Sequence, residues 1–511
     1  MKISRRSIVR QALACGFAVV ILAIAPTALL AQSGKPKMAT EIPQEITTPD
    51  SVETRLGTLK FFDGMPDEAT VEKVYDNLDF MRGVEVFLNA MPGASLYAVR
   101  KGLHSIGVDN QTVAVFETLM DSKSLYLTAN TETVYLFGWI DLKNGPMVIE
   151  TPPNILAFVD DFWFHYVTDM GNAGPDKGKG GKFLIVPPGY KGEIPEGYFV
   201  AHSPTFGNWL FARGFLVDGD TKPATENFNK LWRQYPLADA VNPPETKFVN
   251  ASGKAFNTIH ANNIRFYDEI NTIVQEEPNE ALDPETLGLL ASIGIEKGKR
   301  FAPDERMTKI LAEAAAVGNA TARSILAANR DKAFYLYPNS YWEVGFLGGS
   351  HEFLMGGARN LDARTRMFYY ATGITPAMAM KMVGVGSQYA ANFRDSQGDY
   401  LDGGKTYKLN IPANPPVKTF WSIVVYDGQT RSMLQTDQQF PSIGSQSKGL
   451  QANPDGSVDL YFGPTAPAGK ESNWVQTVSG KSWNTLLRLY GPLEPWFDKS
   501  WKPGDFEEVV N

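Results

Sequence analysis

Between Val113 and Pro223 the chain is cut into short apolar and aromatic runs, at 124–128, 134–141, 147–150, 162–167, 182–186, 198–202 and 209–216. Clusters of Gly, Pro, Asn and Asp separate them. Runs of this length suit strands, and the residues between them reverse a chain by supplying positive φ, a fixed φ or a side chain that satisfies the turn backbone. The pattern predicts an antiparallel β domain, a sandwich or jelly roll. A second set of strands is expected from Tyr400 to Tyr490, with Asn453-Pro454-Asp455-Gly456 as a turn.

Helical spacing appears elsewhere. Residues 67–90 place Val71, Val74, Tyr75, Leu78, Phe80, Met81, Val84, Phe87 and Leu88 at helical spacing behind an acidic start. The stretches 225–235, 257–275, 283–293 and 304–329 show the same period. The expected fold is therefore mainly β with a helical section: two antiparallel β-sandwich, jelly-roll-like domains at 61–223 and 331–505, joined by helices at 224–330, behind a flexible lead-in at 32–60. The Gly/Lys-rich stretch 171–181 lacks a strand-to-helix phosphate pattern and is expected to connect a hairpin.

Residues 1–31 have the tripartite form of an export signal: four basic residues before position 11, an apolar stretch at 12–25, and Ala31 ahead of Gln32 for cleavage. A membrane anchor fits less well, because the segment holds Pro26 and is barely long enough to span. Ser4-Arg5-Arg6-Ser7-Ile8-Val9-Arg10 resembles the twin-arginine export motif, and an ordinary secretory signal with paired arginines reads equally well. A periplasmic or secreted protein, off the membrane after cleavage, is expected. The signal carries no acidic residue, so its loss takes the formal charge from −8 to −12. That charge, with no basic run longer than a pair in the remainder, excludes a nucleic-acid partner. The only cysteine, Cys15, lies in the signal, which leaves no disulfide and no thiolate chemistry beyond it.

Asn130-Thr131-Glu132-Thr133-Val134-Tyr135, Asp141-Leu142, Pro152-Pro153, the segments 158–166 and 182–188, Ala201-His202-Ser203-Pro204-Thr205 and Arg213 occur in an order that resembles the bacterial family domain of unknown function 1254. The segment 398–409, Phe420-Trp421-Ser422, Tyr426-Asp427, 453–456, Asn473-Trp474 and Arg488-Leu489-Tyr490-Gly491-Pro492 resemble its usual companion, domain of unknown function 1214. The resemblance covers most of 60–505. It implies two β-sandwich domains with a helical section, commonly in secreted bacterial proteins, and no settled mechanism. Where this chain has Glu132 the family pattern usually has Asp, so the carboxylate here reaches one methylene further.

The five histidines, His104, His165, His202, His260 and His351, show no metal-ligand spacing. A divalent metal would need a site assembled from distant strands, with His165 and His202 as partners near Asp160, Asp161 and Asp169. Asn130, Glu132, Thr133 and Tyr135 alternate as on a strand; they read either as a group orienting water for catalysis or as a polar network holding the turn before Tyr135. Ser203 beside His202 is not activated by it, since strand neighbours point to opposite faces. No nucleophile elbow and no dinucleotide fingerprint is present. Phe420, Trp421, Tyr426, Trp474, Trp483, Arg488 and Tyr490 form an aromatic set with one arginine, suited to sandwich core or to a groove in which Arg488 binds a carboxylate.

The leading expectation is an exported hydrolase or lyase acting on a small organic or aromatic molecule. Glu132, Asn130, Tyr135 and His202 are its candidate catalytic residues, and Arg213, His165, Trp421 and Arg488 its candidate substrate-binding residues. The alternative is a non-catalytic periplasmic ligand-binding or structural protein with an aromatic groove. A homo-oligomer is expected in either case.

Overall fold

Thr133–Asp141 alternates two kinds of apolar residue, and the alternation decides what lies on each side of the strand. Val134, Leu136 and Ile140 point to one face, and Tyr135, Phe137 and Trp139 to the other. A computed structural model describes residues 37–510; the export segment 1–31 and Cys15 lie outside the described residues.

The first strands are β1 (Thr112–Val115), β2 (Thr133–Asp141), β3 (Met147–Thr151), β4 (Ile155–Asp161), β5 (Tyr166–Gly171), β6 (Gly181–Val186), β7 (Phe199–His202), β8 (Gly207–Phe215), β9 (Arg233–Pro236) and β10 (Lys247–Asn250). They make a six-stranded sheet, β10-β1-β2-β8-β4-β5, and a four-stranded sheet, β7-β6-β3-β9. The register of β8 on β2 sets like against like: Phe211 faces Phe137 and Trp209 faces Trp139. The aliphatic face of the larger sheet packs on Met147, Ile149, Phe183 and Ile185 of the smaller.

The second set is β11 (Glu343–Val344), β12 (Ser387–Asn392), β13 (Tyr407–Ile411), β14 (Trp421–Asp427), β15 (Ser442–Gly444), β16 (Val458–Gly463), β17 (Trp474–Gln476), β18 (Trp483–Tyr490) and β19 (Glu507–Glu508). A five-stranded sheet, β11-β12-β18-β14-β15, packs on a four-stranded one, β17-β16-β13-β19, around Trp421, Ile423, Leu487, Leu409 and Phe462.

Between the two sheet pairs lies the largest core. It gathers the aromatic face of the six-stranded sheet and the outer face of the five-stranded one (Tyr389, Val424, Tyr426, Leu486). Helices α1 (Glu68–Asn89), α2 (Met91–Ser105), α4 (Arg265–Glu276), α6 (Glu305–Ala327) and α7 (Leu361–Tyr370) contribute to the same core, while α3 (Lys222–Leu231) closes the first sheet pair and α5 (Pro284–Ser292) follows α4. Asp304 starts α6 by accepting from the Met307 N–H at 2.7 Å. Leu311, Ala315, Gly318, Ala322 and Leu326 then form its buried stripe. A Cβ on Gly83 would lie 2.7 Å from Ala314, and one on Gly318 would lie 2.8 Å from the Phe87 ring, so glycine lets α1 and α6 touch. Within residues 37–72, Ser51–Thr54 and Gly57–Phe62 pair as an antiparallel hairpin.

The structure corrects several expectations. Helix and strand are nearly equal, 27% and 28%, so the protein is not mainly β. The pairs β6–β7, β10–β1 and β16–β17 are parallel, and the open, mixed sheets are not clear jelly rolls. The loop 171–181 is no hairpin connection: it carries the chain from the six-stranded to the four-stranded sheet. The run at 162–167 straddles a turn in which Phe164 takes a φ of 60°, and the strand before it, β4, carries no polar alternation to announce it. Among the described residues no helix is long and apolar enough to cross a membrane.

Candidate functional site

Along β8 the residues facing the central core run Trp209, Phe211, Arg213, and the last of these sets a guanidinium where the pattern calls for an aromatic ring. Arg213 sits opposite Tyr135 of β2. Across the core, β18 does the same: Leu486 is followed by Arg488, which lies opposite Tyr389 of β12 and Ser422 of β14. The two arginines and Tyr126, Tyr135 and Tyr389 line a cavity of about 60 Å³. It shares Arg213, Met378 and Tyr389 with a cleft of about 720 Å³ whose walls include Asp169, Thr375, Phe420 and Tyr490.

Arg488 is 2% exposed. One of its amino nitrogens donates to the carbonyls of Thr128 and Ala129 and, at 2.9 Å, to the Tyr426 hydroxyl, which itself donates to Ala129 O at 2.6 Å. Arg213 donates to the Tyr389 hydroxyl at 3.4 Å. The Nε of each arginine is buried without a partner. Among the described residues neither guanidinium forms an ion pair, whereas Arg366, in the same cavity wall, is paired with buried Glu343 at 2.7 Å. Burial alone would push the Tyr389 hydroxyl up, but the charges of Arg213 and Arg488 outweigh it and bring it below the ordinary tyrosine value. Asp169, 7% exposed on β5, is pushed up to about 7 by burial, which the Thr375 and Tyr166 hydroxyls only partly offset.

Of the residues singled out in the sequence, Arg213, Arg488 and Tyr135 meet in this cavity. Glu132 is not among the lining residues of the cavity or the cleft; it accepts from Thr131 Oγ1 at 2.7 Å and from the hydroxyl of Tyr490, a cleft residue, at 3.3 Å. Asn130 precedes β2 and does not alternate with Glu132 on a strand. Its Oδ1 accepts from Glu132 N and Thr133 N, each at 3.1 Å, and its own N–H donates to Tyr135 Oη at 3.0 Å. Of the two readings offered for this group, the hydrogen bonds form the turn network. His202 is exposed on β7, the edge of the four-stranded sheet. His165 lies in the β4–β5 turn against Asp161 at 2.9 Å. Trp421 packs inside the second sheet pair, on the side of β14 away from the cavity. Among the described residues no three His, Cys, Asp or Glu side chains form a group able to hold a metal ion, and His165 and His202 are not brought together with Asp160 and Asp169 in one. Tyr389 was absent from the sequence candidates because its strand, Ser-Gln-Tyr-Ala-Ala-Asn, carries too little apolar alternation to read. The readable signal for this site was an arginine inside an apolar strand.

Two sheet pairs thus share one helical core, with an arginine–tyrosine cavity between them. Residues 110–236 match the family model described as "Protein of unknown function (DUF1254)", and residues 386–494 match "Protein of unknown function (DUF1214)". The chain carries these two regions in the order that its motifs implied. It is similar to the crystal structure of the VPA0106 protein from Vibrio parahaemolyticus, at 19% identity and a TM-score of 0.53, over 85% of this chain and 100% of that one. That likeness shows the fold. A putative uncharacterized protein from Burkholderia cenocepacia also matches, at 12% identity and a TM-score of 0.36, over 85% of this chain and 96% of that one. No curated protein matches the chain.

Proposed function

We propose that the protein binds a small organic carboxylate with an apolar or aromatic body, outside the cytoplasm. The observation that carries this reading is the convergence of Arg213 and Arg488 on one cavity without an ion pair for either. Burying an unpaired guanidinium costs several kcal/mol, and an entering carboxylate offsets that cost through charge-assisted, bidentate hydrogen bonds. The Arg488 guanidinium is held by Thr128, Ala129 and Tyr426 before any ligand arrives; such preorganisation lowers the ordering cost of binding. The cavity has room for the carboxylate, and the adjoining cleft, with Phe158, Leu216, Met378 and Met382 in its walls, offers the apolar body a lining. The reading of residues 1–31 as a cleaved signal supports the location, and amino-terminal sequencing of the protein recovered from the periplasm would test it.

Calorimetric titration with benzoate, phenylacetate and acetate tests the function. The aromatic acids should bind and acetate should bind more weakly. Arg488→Met should weaken binding roughly thirtyfold or more, as expected for removing one partner of a buried charge pair worth about 2–5 kcal/mol. Absence of saturable binding by all three acids to the wild-type protein would sink the proposal.

A second reading, acid–base chemistry on the bound acid by a hydrolase or lyase, is favoured by Asp169, whose carboxyl is set near neutrality in the wall of the adjoining cleft. Asp169→Asn should then retain binding and lose turnover.

A further inference from the structure

A second cavity, of about 230 Å³, shares no lining residue with the first two. It is built on the turn between β4 and β5. The Asp161 carboxylate is fully buried there and accepts from Trp163 N at 2.7 Å and His165 N at 2.8 Å. Its other oxygen meets His165 Nδ1 at 2.9 Å. A carboxylate at Nδ1 fixes the ring and leaves Nε2 free for a ligand.

Around His165 stand His351, Arg359, Arg364 and Trp163. His351 is held edge-on to the Tyr166 ring at 5.8 Å. Arg364 donates to Asn89 Oδ1, and its Nε is buried with no partner. The Trp163 indole is 6% exposed, and its N–H is also unpartnered. Arg359 is held by the Glu352 carbonyl at 3.2 Å, and among the described residues neither arginine forms an ion pair. Two carboxylates also line the cavity. Asp283 is occupied in capping α5, accepting from Thr286 N at 2.9 Å and Thr286 Oγ1 at 2.7 Å, and Glu352 is exposed to water. Burial, helped by the nearby Arg359 charge, lowers Arg364 to about 10. Cations that repel one another around one cavity are stabilised together by an anion among them.

We propose that this cavity binds a phosphate group, free or as a small monoester, through Arg359, Arg364, His165, His351 and the Trp163 indole N–H. Donors reach the cavity from the β4–β5 turn, the segment before α7 and α7 itself. Such spread suits a tetrahedral group with several acceptor oxygens better than a planar carboxylate.

Calorimetric titration of the full chain with inorganic phosphate and with phenyl phosphate tests this. Saturable binding is expected, at least about tenfold weaker in both Arg364→Gln and Arg359→Gln and unchanged in Arg488→Met. Arg359 is exposed, so its variant keeps the test open should Arg364→Gln fold poorly. Tighter binding of phenyl phosphate assigns the site to a monoester, and equal or weaker binding assigns it to the free ion. The proposal is overturned if neither compound binds, or if binding survives both arginine variants. Loss of binding in Arg488→Met alone would also overturn it, by placing the phosphate in the first cavity.

Discussion

The two faces of the six-stranded sheet are made by the same strands and have opposite chemistry. One carries Val134, Leu136, Ile140, Leu210 and Ala212, closed against a second sheet, and the polar side chains buried with them, Asn208 and Gln234, carry no charge. The other interleaves aromatic rings with Arg213 and with Asp160, which is fully buried, accepts from Ile374 N at 3.1 Å and leaves Oδ1 unpartnered. Burial pushes Asp160 well above the usual carboxylate range. The aliphatic face is what a sheet needs in order to stay folded. The aromatic face holds ionisable groups that packing alone would not retain, and the proposed carboxylate site rests on that departure.

The sharpest way to break this comparison is to create an unpaired arginine where the structure has a paired one. Glu343→Gln strips Arg366 of its buried partner and should destabilise the protein by about 3–5 kcal/mol, read by denaturant unfolding. A loss below about 1 kcal/mol would mean that this core tolerates lone guanidiniums, and the bareness of Arg213 and Arg488 would then lose its meaning. Next, Leu210→Ala opens a void on the closed face and should cost about 3 kcal/mol, with benzoate affinity unchanged in the folded fraction. A matching fall in affinity would show that the two faces do not act separately.

A pH series sharpens the comparison on the polar side. Asp169 is raised to about 7, and so are Glu269 and Glu277, with burial the largest cause in each. These groups hold protons in the folded chain that the unfolded chain releases from about pH 4 upward. Their stabilisation is complete below that pH, declines as pH rises towards 7 and is gone above it. The unfolding free energy should therefore fall between pH 5 and pH 7, and Asp169→Asn should remove about 2 kcal/mol of that slope. A wild-type slope equal to that of Asp169→Asn would show that Asp169 is ionised throughout.

Much of the scaffold was legible in the sequence. The apolar and aromatic run at 134–141 marked β2, and long apolar periods marked α1 and α6 to within a few residues. What stayed hidden has physical causes. The helix α2 opens with Pro92 and Gly93, which read as breakers; proline is tolerated in a first turn, and a Cβ on Gly93 would lie 2.5 Å from the Trp163 ring. The site was legible in part: Arg213 stood among the family motifs and Arg488 in the aromatic set of the second region, and both prove to be charges inside apolar strands. Grouping His165 with His202 failed for a different reason. Nearness along the chain says nothing about which of two stacked sheets a strand joins, and the crossover at 171–181 separates the two residues.

The smallest expected effect is the most discriminating. Arg213→Met keeps the unbranched apolar stem of the side chain and removes the lone cation. If Arg213 is part of the packing, its loss should destabilise the fold as a cavity does. If it is there for a ligand, removing a partly buried charge without an ion pair should leave stability within about 1 kcal/mol, since apolar replacement of buried ionic groups is often neutral or favourable. Benzoate affinity should still fall about tenfold, near 1.4 kcal/mol. The same change should free the Tyr389 hydroxyl from one of the two charges that lower it, so that its ultraviolet titration moves upward. Unchanged affinity with an upward-shifted Tyr389 would assign Arg213 to the tyrosine alone and leave Arg488 as the sole anion contact.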